Sequence, residues 1–200
     1  MRVGVLSVQG AFAEMAAHWR ALGAETFEIR QRSDLDRGMD FLALPGGEST
    51  VQGKLLRELG LFAPLKRKIA GGLPTLGTCA GLILLAKSIK DDPTVHFGLL
   101  DVIVERNAYG RQLGSFHAEA PLTDGPSVPL TFIRAPRIVS AGPSVEPLVT
   151  LDGTPVAVRQ GHLFAAAFHP EIDANPSFHR LFLAAVSTRP VGEASSPPQI

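Results

Sequence analysis

Leu73-Pro-Thr-Leu-Gly-Thr-Cys-Ala-Gly-Leu-Ile-Leu-Leu-Ala86 carries a short apolar run into Gly77-Thr-Cys-Ala-Gly81 and a second apolar run away from it. That layout is a nucleophile elbow: strand, sharp turn, helix, with a reactive side chain lifted over the end of a sheet. Small residues flank such a turn because a strained backbone leaves no room for large ones. A helix starting at Ala80 directs its unpaired N–H groups and positive dipole end at Cys79, which favours the thiolate, the nucleophilic form. A lone cysteine in an arbitrary chain is most often an inert core thiol. Here the glycine bracket and the strand–turn–helix setting select the nucleophile.

The rest of the first ninety residues alternates strand-like and helical runs. Residues 2–8, 25–30 and 41–44 read as strands, 11–22, 50–59 and 65–70 as helices, and 74–78 as the strand ending at the elbow. Such alternation predicts crossover connections and a parallel sheet covered on both faces. Beyond residue 99 the runs crowd together as strands over 100–105, 114–120, 130–133, 138–141, 148–151, 155–159 and 163–168. Asp124-Gly125 and Asp152-Gly153 mark hairpin turns between them. A helix over 177–187 closes the pattern. The fold class is α/β, in three layers: a mostly parallel central sheet, helices on both faces, and an added antiparallel strand region. One domain is expected over residues 1–187. Residues 188–200, rich in proline and serine, are expected to be a disordered tail.

Bulk properties remove several functions. Lysine plus arginine equal aspartate plus glutamate at 19 each, so no net field draws in nucleic acid or an anionic membrane. No apolar run is long enough to span a bilayer. The apolar start, Met1–Gly10, is broken by Arg2 and Gln9 and reads as a first strand, since a secretory signal needs a longer greasy segment. A single cysteine excludes an internal disulfide and fits the cytoplasm. No ligand cluster calls for a metal, and nothing calls for a cofactor.

Ligands of open parallel sheets sit beyond the carboxyl ends of the strands. Pro45-Gly46-Gly47-Glu48-Ser49 and the elbow both fall there, so the two loops share one crevice if their strands are neighbours. A cysteine nucleophile needs a base, and the base needs orienting. His169 ends the apolar run 163–168 and is followed by Pro170 and Glu171. Residues two apart on an extended segment point the same way, so Glu171 can hold one imidazole nitrogen and present the other to Cys79. Taken alone, His-Pro-Glu reads at least as well as an ordinary loop histidine with a solvated glutamate; combined with the elbow it reads as a triad. Oxyanion donors come from the N–H of Ala80 and, across the crevice, of Gly47.

Gly77-Thr-Cys-Ala-Gly81 and His169-Pro-Glu171 resemble the class I (triad) glutamine amidotransferases, whose domain is flavodoxin-like. Val8-Gln-Gly10, Leu44-Pro-Gly-Gly-Glu-Ser-Thr50, Val104-Glu-Arg-Asn107, Gly110-Arg-Gln112, Phe132-Ile-Arg-Ala-Pro136 and Arg159-Gln-Gly161 resemble, within that class, the glutaminase subunits of pyridoxal 5′-phosphate synthases. The resemblance covers everything but the tail. It implies Cys79 as nucleophile, His169 as base and then acid, and Glu171 as its partner. It places L-glutamine against Gly46, Gly47 and Glu48, with Arg106, Ile133 and Arg134 completing the pocket. An arginine suits the substrate carboxylate and Glu48 its ammonium. It further implies a (β/α)8-barrel synthase partner that receives the ammonia, in an assembly of twelve plus twelve subunits. Two features depart from the family pattern. His117 stands where an acidic residue is usual, and Val51-Gln-Gly53 puts a glycine inside a helix at a cost of about 1 kcal/mol. His18 and Trp19 read as packing residues. The rival readings are a cysteine amidase or peptidase of the same fold, and a non-catalytic partner-binding subunit. Glu48, Arg106 and Arg134 suit a small zwitterion better than a peptide, and an intact Cys/His/Glu set argues against a mere scaffold.

Overall fold

The computed structural model describes residues 1–108 and 115–187. Its first half runs β1 (Arg2–Leu6), α1 (Phe12–Ala21), β2 (Glu25–Ile29), β3 (Phe41–Leu44), α2 (Ser49–Glu58), α3 (Phe62–Ala70), β4 (Thr75–Thr78) and α4 (Ala80–Leu85). Its second half runs β5 (Ala86–Ile89), β6 (Leu100–Glu105), β7 (Ser115–Pro121), β8 (Ser127–Ile133), β9 (Arg137–Ala141), β10 (Glu146–Leu151), β11 (Thr154–Gln160), β12 (Leu163–Ala166) and α5 (Ser177–Ser187). The segments 110–112 and 188–200, for which a family motif and a disordered tail were expected, lie outside the described residues.

The main sheet has the order β10-β11-β12-β4-β3-β1-β2. From β12 to β2 every pairing is parallel; β10 and β11 extend the sheet antiparallel. β3, β4 and β12 are buried at every position, as central strands covered on both faces must be. Phe41 packs edge-on against Trp19 of α1 and Phe182 of α5, with ring centroids 4.8 and 5.0 Å away. Leu44 lies three positions along, hence on the opposite face, where it meets Gly81 of α4. That single strand shows why both faces carry helices. Each fully buried aromatic of this cluster contributes roughly 1.5–3 kcal/mol. The α/β class and the mixed sheet expected from the sequence are both present.

Three local expectations are corrected. α4 stops after two turns and the chain passes directly into β5, which pairs parallel with β6; the uniformly apolar stretch 82–86 has no periodicity to mark that change. A 3₁₀ turn, Arg32–Arg37, was not foreseen; Asp34 holds its start by accepting from the N–H groups of Arg30 and Gln31. α3 begins at Phe62 rather than 65, because Pro64 falls in the first turn, where a missing N–H costs nothing. β6 also pairs with β9, and β7 with β8 as a separate hairpin around Asp124-Gly125.

Candidate active site

β3 and β4 are parallel neighbours, so the loops that follow them face one crevice. Cys79 follows β4 with φ 48° and ψ −99°, a conformation costing of order 1–3 kcal/mol in a non-glycine residue. The turn is held by the Cys79 N–H donating to the Ala166 carbonyl at 2.8 Å. The glycine bracket has a concrete cause: a Cβ on Gly81 would strike the Leu44 carbonyl of β3, and one on Gly77 the Gly81 carbonyl. The strands can approach the helix this closely only without side chains there.

His169 and Glu171 arrive from the end of β12, next to β4. The His169 Nδ1 lies 2.8 Å from Glu171 Oε1; a carboxylate only accepts, so Nδ1 carries the proton and Nε2 is left to Cys79. All three residues are at most 6% exposed. Burial pulls the His169 imidazole down, but its hydrogen bonds to Cys79 and Glu171 and their charges outweigh that and raise its pKa to about 10. Cys79 Sγ also approaches the Ile133 carbonyl at 4.0 Å.

The glycine loop is fixed by hydrogen bonds from several directions. The Gly46 N–H donates to Thr78 Oγ1 at 3.1 Å, and its carbonyl accepts from the Ala11 N–H at 2.9 Å. Gln9 Oε1 accepts from the Glu48 N–H at 2.8 Å, while Gln52 Nε2 donates to the Gln9 and Pro45 carbonyls. A Cβ on Gly46 would collide with the His169 ring, so this loop is the surface against which the imidazole rests. The Gly46–Gly47 peptide is trans, so the Gly47 N–H points opposite the Gly46 carbonyl, away from Ala11. It has no protein acceptor among the described residues.

A cavity of about 330 Å³ opens over the sulfur, within the range of small-molecule sites. Cys79, His169, Gly47, Glu48, Arg106, Ile133 and Arg134 all line it. Of the other expected site residues, Glu171 stands behind His169, Gly46 beneath the imidazole, and Ala80 is buried at the first position of α4. Arg106 Nη2 donates to Glu48 Oε1 at 3.0 Å, and Arg106 Nη1 lies 3.6 Å from Asp92 Oδ2. With both side chains about a third or more exposed, the Arg106–Glu48 pair is worth at most about 1 kcal/mol. An incoming zwitterion can therefore replace it, carboxylate to Arg106 and ammonium to Glu48. Cys79, Asn107 and Arg134, three of the five non-glycine residues with positive φ among those described, all line this cavity. Strain is concentrated where chemistry would occur.

Gln9, Ser49, Ile83 and Asn107 also line the cavity, and Thr78 and Gln52 support it; no sequence pattern marks any of them with a role. Gln9 stood within a quoted motif, but only tertiary contact reveals its side chain clasping the glycine loop. The unusual Gln52 and Gly53 both turn inward and are buried. A Cβ on Gly53 would overlap the ring of His96. His117 lies on β7, its Nδ1 3.0 Å from Thr131 Oγ1, which donates onward to Asp173.

An elbow cysteine, a carboxylate-held imidazole and this sheet define the class I glutamine amidotransferase fold. A crystal structure of a glutamine amidotransferase matches it with a TM-score of 0.88 at 42% identity, over 93% of this chain and 99% of that one. The structure of PurLQS from Thermotoga maritima, at 15% identity and a TM-score of 0.66 over 93% of this chain and 97% of that one, shares the fold. The chain belongs to the SNO glutamine amidotransferase family, whose sequence model matches residues 5–188. Curated relatives include the pyridoxal 5′-phosphate synthase subunit PdxT of Desulfitobacterium hafniense, 51% identical over 94% of both chains. The subunit of the same name from Haemophilus influenzae is 47% identical over 92% of this chain and 97% of its own.

Proposed function

We propose that this chain is the glutaminase subunit of a pyridoxal 5′-phosphate synthase, hydrolysing L-glutamine to L-glutamate and ammonia. The observation that carries the reading is Cys79 and His169 lining one cavity with an anionic and a cationic group, Glu48 and Arg106. The names of the relatives, at about half identity over nearly the full chain, support the assignment to that synthase.

In the proposed reaction the Cys79 thiolate attacks the side-chain amide carbon of glutamine. The Gly47 and Ala80 N–H groups donate hydrogen bonds to the developing oxyanion. The imidazolium of His169, held by Glu171, gives its proton to the departing nitrogen; the C–N bond breaks, ammonia leaves, and a γ-glutamyl thioester remains. His169 then takes a proton from water, the hydroxyl adds to the thioester, and glutamate departs as the thiolate re-forms. Gly46, Gly47, Glu48, Arg106, Ile133 and Arg134 hold the substrate. The steps require no metal and no cofactor. Ammonia passes by a closed path to a (β/α)8-barrel synthase subunit, because in bulk water at neutral pH it is mostly protonated and no longer a nucleophile. Twelve glutaminase subunits surround a dodecameric synthase core, in the cytoplasm. Among the described residues no helix is long and apolar enough to cross a membrane.

The test is ammonia release from glutamine by the complex of this chain with its synthase subunit. Cys79→Ala is expected to lower kcat by about 10³-fold or more. Turnover that survives the substitution unchanged removes the nucleophile and the reading with it.

A further inference from the structure

Thr78 is the last residue of β4, fully buried, and stands between the glycine loop and the carboxylate behind the imidazole. Its Oγ1 accepts from the Gly46 N–H at 3.1 Å and donates to Glu171 Oε1 at 3.3 Å. A hydroxyl has one proton to give. The Gly46 N–H can only donate and the carboxylate can only accept, so the hydroxyl proton goes to Glu171. That carboxylate oxygen is the one that also receives the proton of His169 Nδ1, while Glu171 Oε2 is buried without a partner. Both donors onto Glu171 therefore meet on one oxygen. The same hydroxyl fixes the near end of Gly46, whose carbonyl is already held by the Ala11 N–H.

We propose that Thr78 is a positioning residue that couples the Gly46–Gly47 loop to Glu171, so that the direction of the Gly47 N–H and the orientation of the His169 ring are set together. The two sides already touch, since Gly46 lies against the His169 ring with no room for a Cβ. Without the hydroxyl, the loop keeps its ties to Ala11, Gln9 and Gln52 but loses the one that joins it to the carboxylate behind the ring. A misplacement of about 1 Å costs up to about 100-fold in rate. The inference rests on the reading that Cys79, His169 and Glu171 perform the glutaminase reaction.

The experiment compares Thr78→Val, Thr78→Ser and Cys79→Ala in the complex with the synthase subunit, following ammonia release. Valine keeps the shape and loses the hydroxyl; serine keeps the hydroxyl and loses a methyl. The expected result is a kcat about 10- to 100-fold lower in Thr78→Val, a KM for glutamine changed far less, and most activity restored in Thr78→Ser. A side chain that matters only for packing gives the opposite order, with valine near wild type and serine worse, and that order overturns the proposal. If circular dichroism shows Thr78→Val unfolded, Thr78→Ala set against Thr78→Ser isolates the hydroxyl without overpacking; equal kcat values there overturn it as well. Full ammonia release by Cys79→Ala overturns the glutaminase reading and this inference together. A silent Cys79→Ala beside a fully active Thr78→Val overturns this inference alone.

Discussion

Cys79 and Glu171 together set the state of His169. The imidazole is held protonated, up to about pH 10, by hydrogen bonding and charge from the sulfur on one side and Glu171 on the other, against the opposing effect of burial. Removing the sulfur leaves burial opposed by Glu171 alone. Cys79→Ala is therefore expected to titrate His169 at distinctly lower pH, read by NMR of the imidazole protons; an unmoved titration would show that the sulfur contributes nothing. The sign for stability follows. An imidazole whose folded pKa exceeds its unfolded value of about 6.5 stabilises the fold fully below that pH, and the contribution is lost as pH rises through 10. Arg106 offers a second residue-scale test. It meets Glu48 and Asp92 at the rim of the cavity, where it is positioned to bind ground state and transition state alike. Arg106→Gln is expected to raise KM for glutamine by about 10-fold or more with kcat much less affected.

α2 shows how an element can contradict its own propensities for a tertiary reason. Replacing a helical glycine by alanine ordinarily stabilises by about 1 kcal/mol. Gly53→Ala should instead destabilise by roughly 1–3 kcal/mol, because the new methyl overlaps the buried His96 ring. Thermal unfolding of Gly53→Ala, alone and with His96→Ala, checks this; the second change should recover part of the loss. The chain signalled α2 as a helical run over 50–59, yet gave no hint of why position 53 is glycine. The same limit runs through the fold. Central strands such as β3 and β4 were legible as apolar runs, and the elbow as strand, small residues, helix. β5 was not, because Leu82–Leu85 is buried on every side and periodicity carries no information where no face is wet. In the site, residues acting by chemical type stood out: Cys79, His169 and Glu171; Arg106 came only from the family resemblance. Thr78, Gln9 and Gln52 act by contacts 32 to 93 positions away or across a turn, and single-sequence patterns do not encode such distances.

Across the whole molecule, buried histidines act on stability with opposite signs of pH dependence. His18 of α1 stacks on His179 of α5 with centroids 3.9 Å apart, and Trp19 meets His179 edge-on. Burial lowers the pKa of both, His179 far more, with the neighbouring His18 adding to the effect. A depressed folded pKa has the opposite sign to that of His169: the contribution is present above about pH 6.5 and is lost as pH falls toward the folded value. The melting temperature is expected to drop on acidification below about pH 6.5, and His179→Leu should flatten that slope; a slope unchanged in the variant would place the acid sensitivity elsewhere. The helix carrying His179 is also the last element described, and its Phe182 touches Phe41 of β3 and Phe164 of β12. β12 itself slots between β4 and β11 in the middle of the main sheet. A nascent chain therefore leaves the ribosome with its sheet incomplete until β12 emerges and with one face uncovered until α5 follows, and transcripts cut short before α5 would yield products that expose this apolar face to chaperones and proteases.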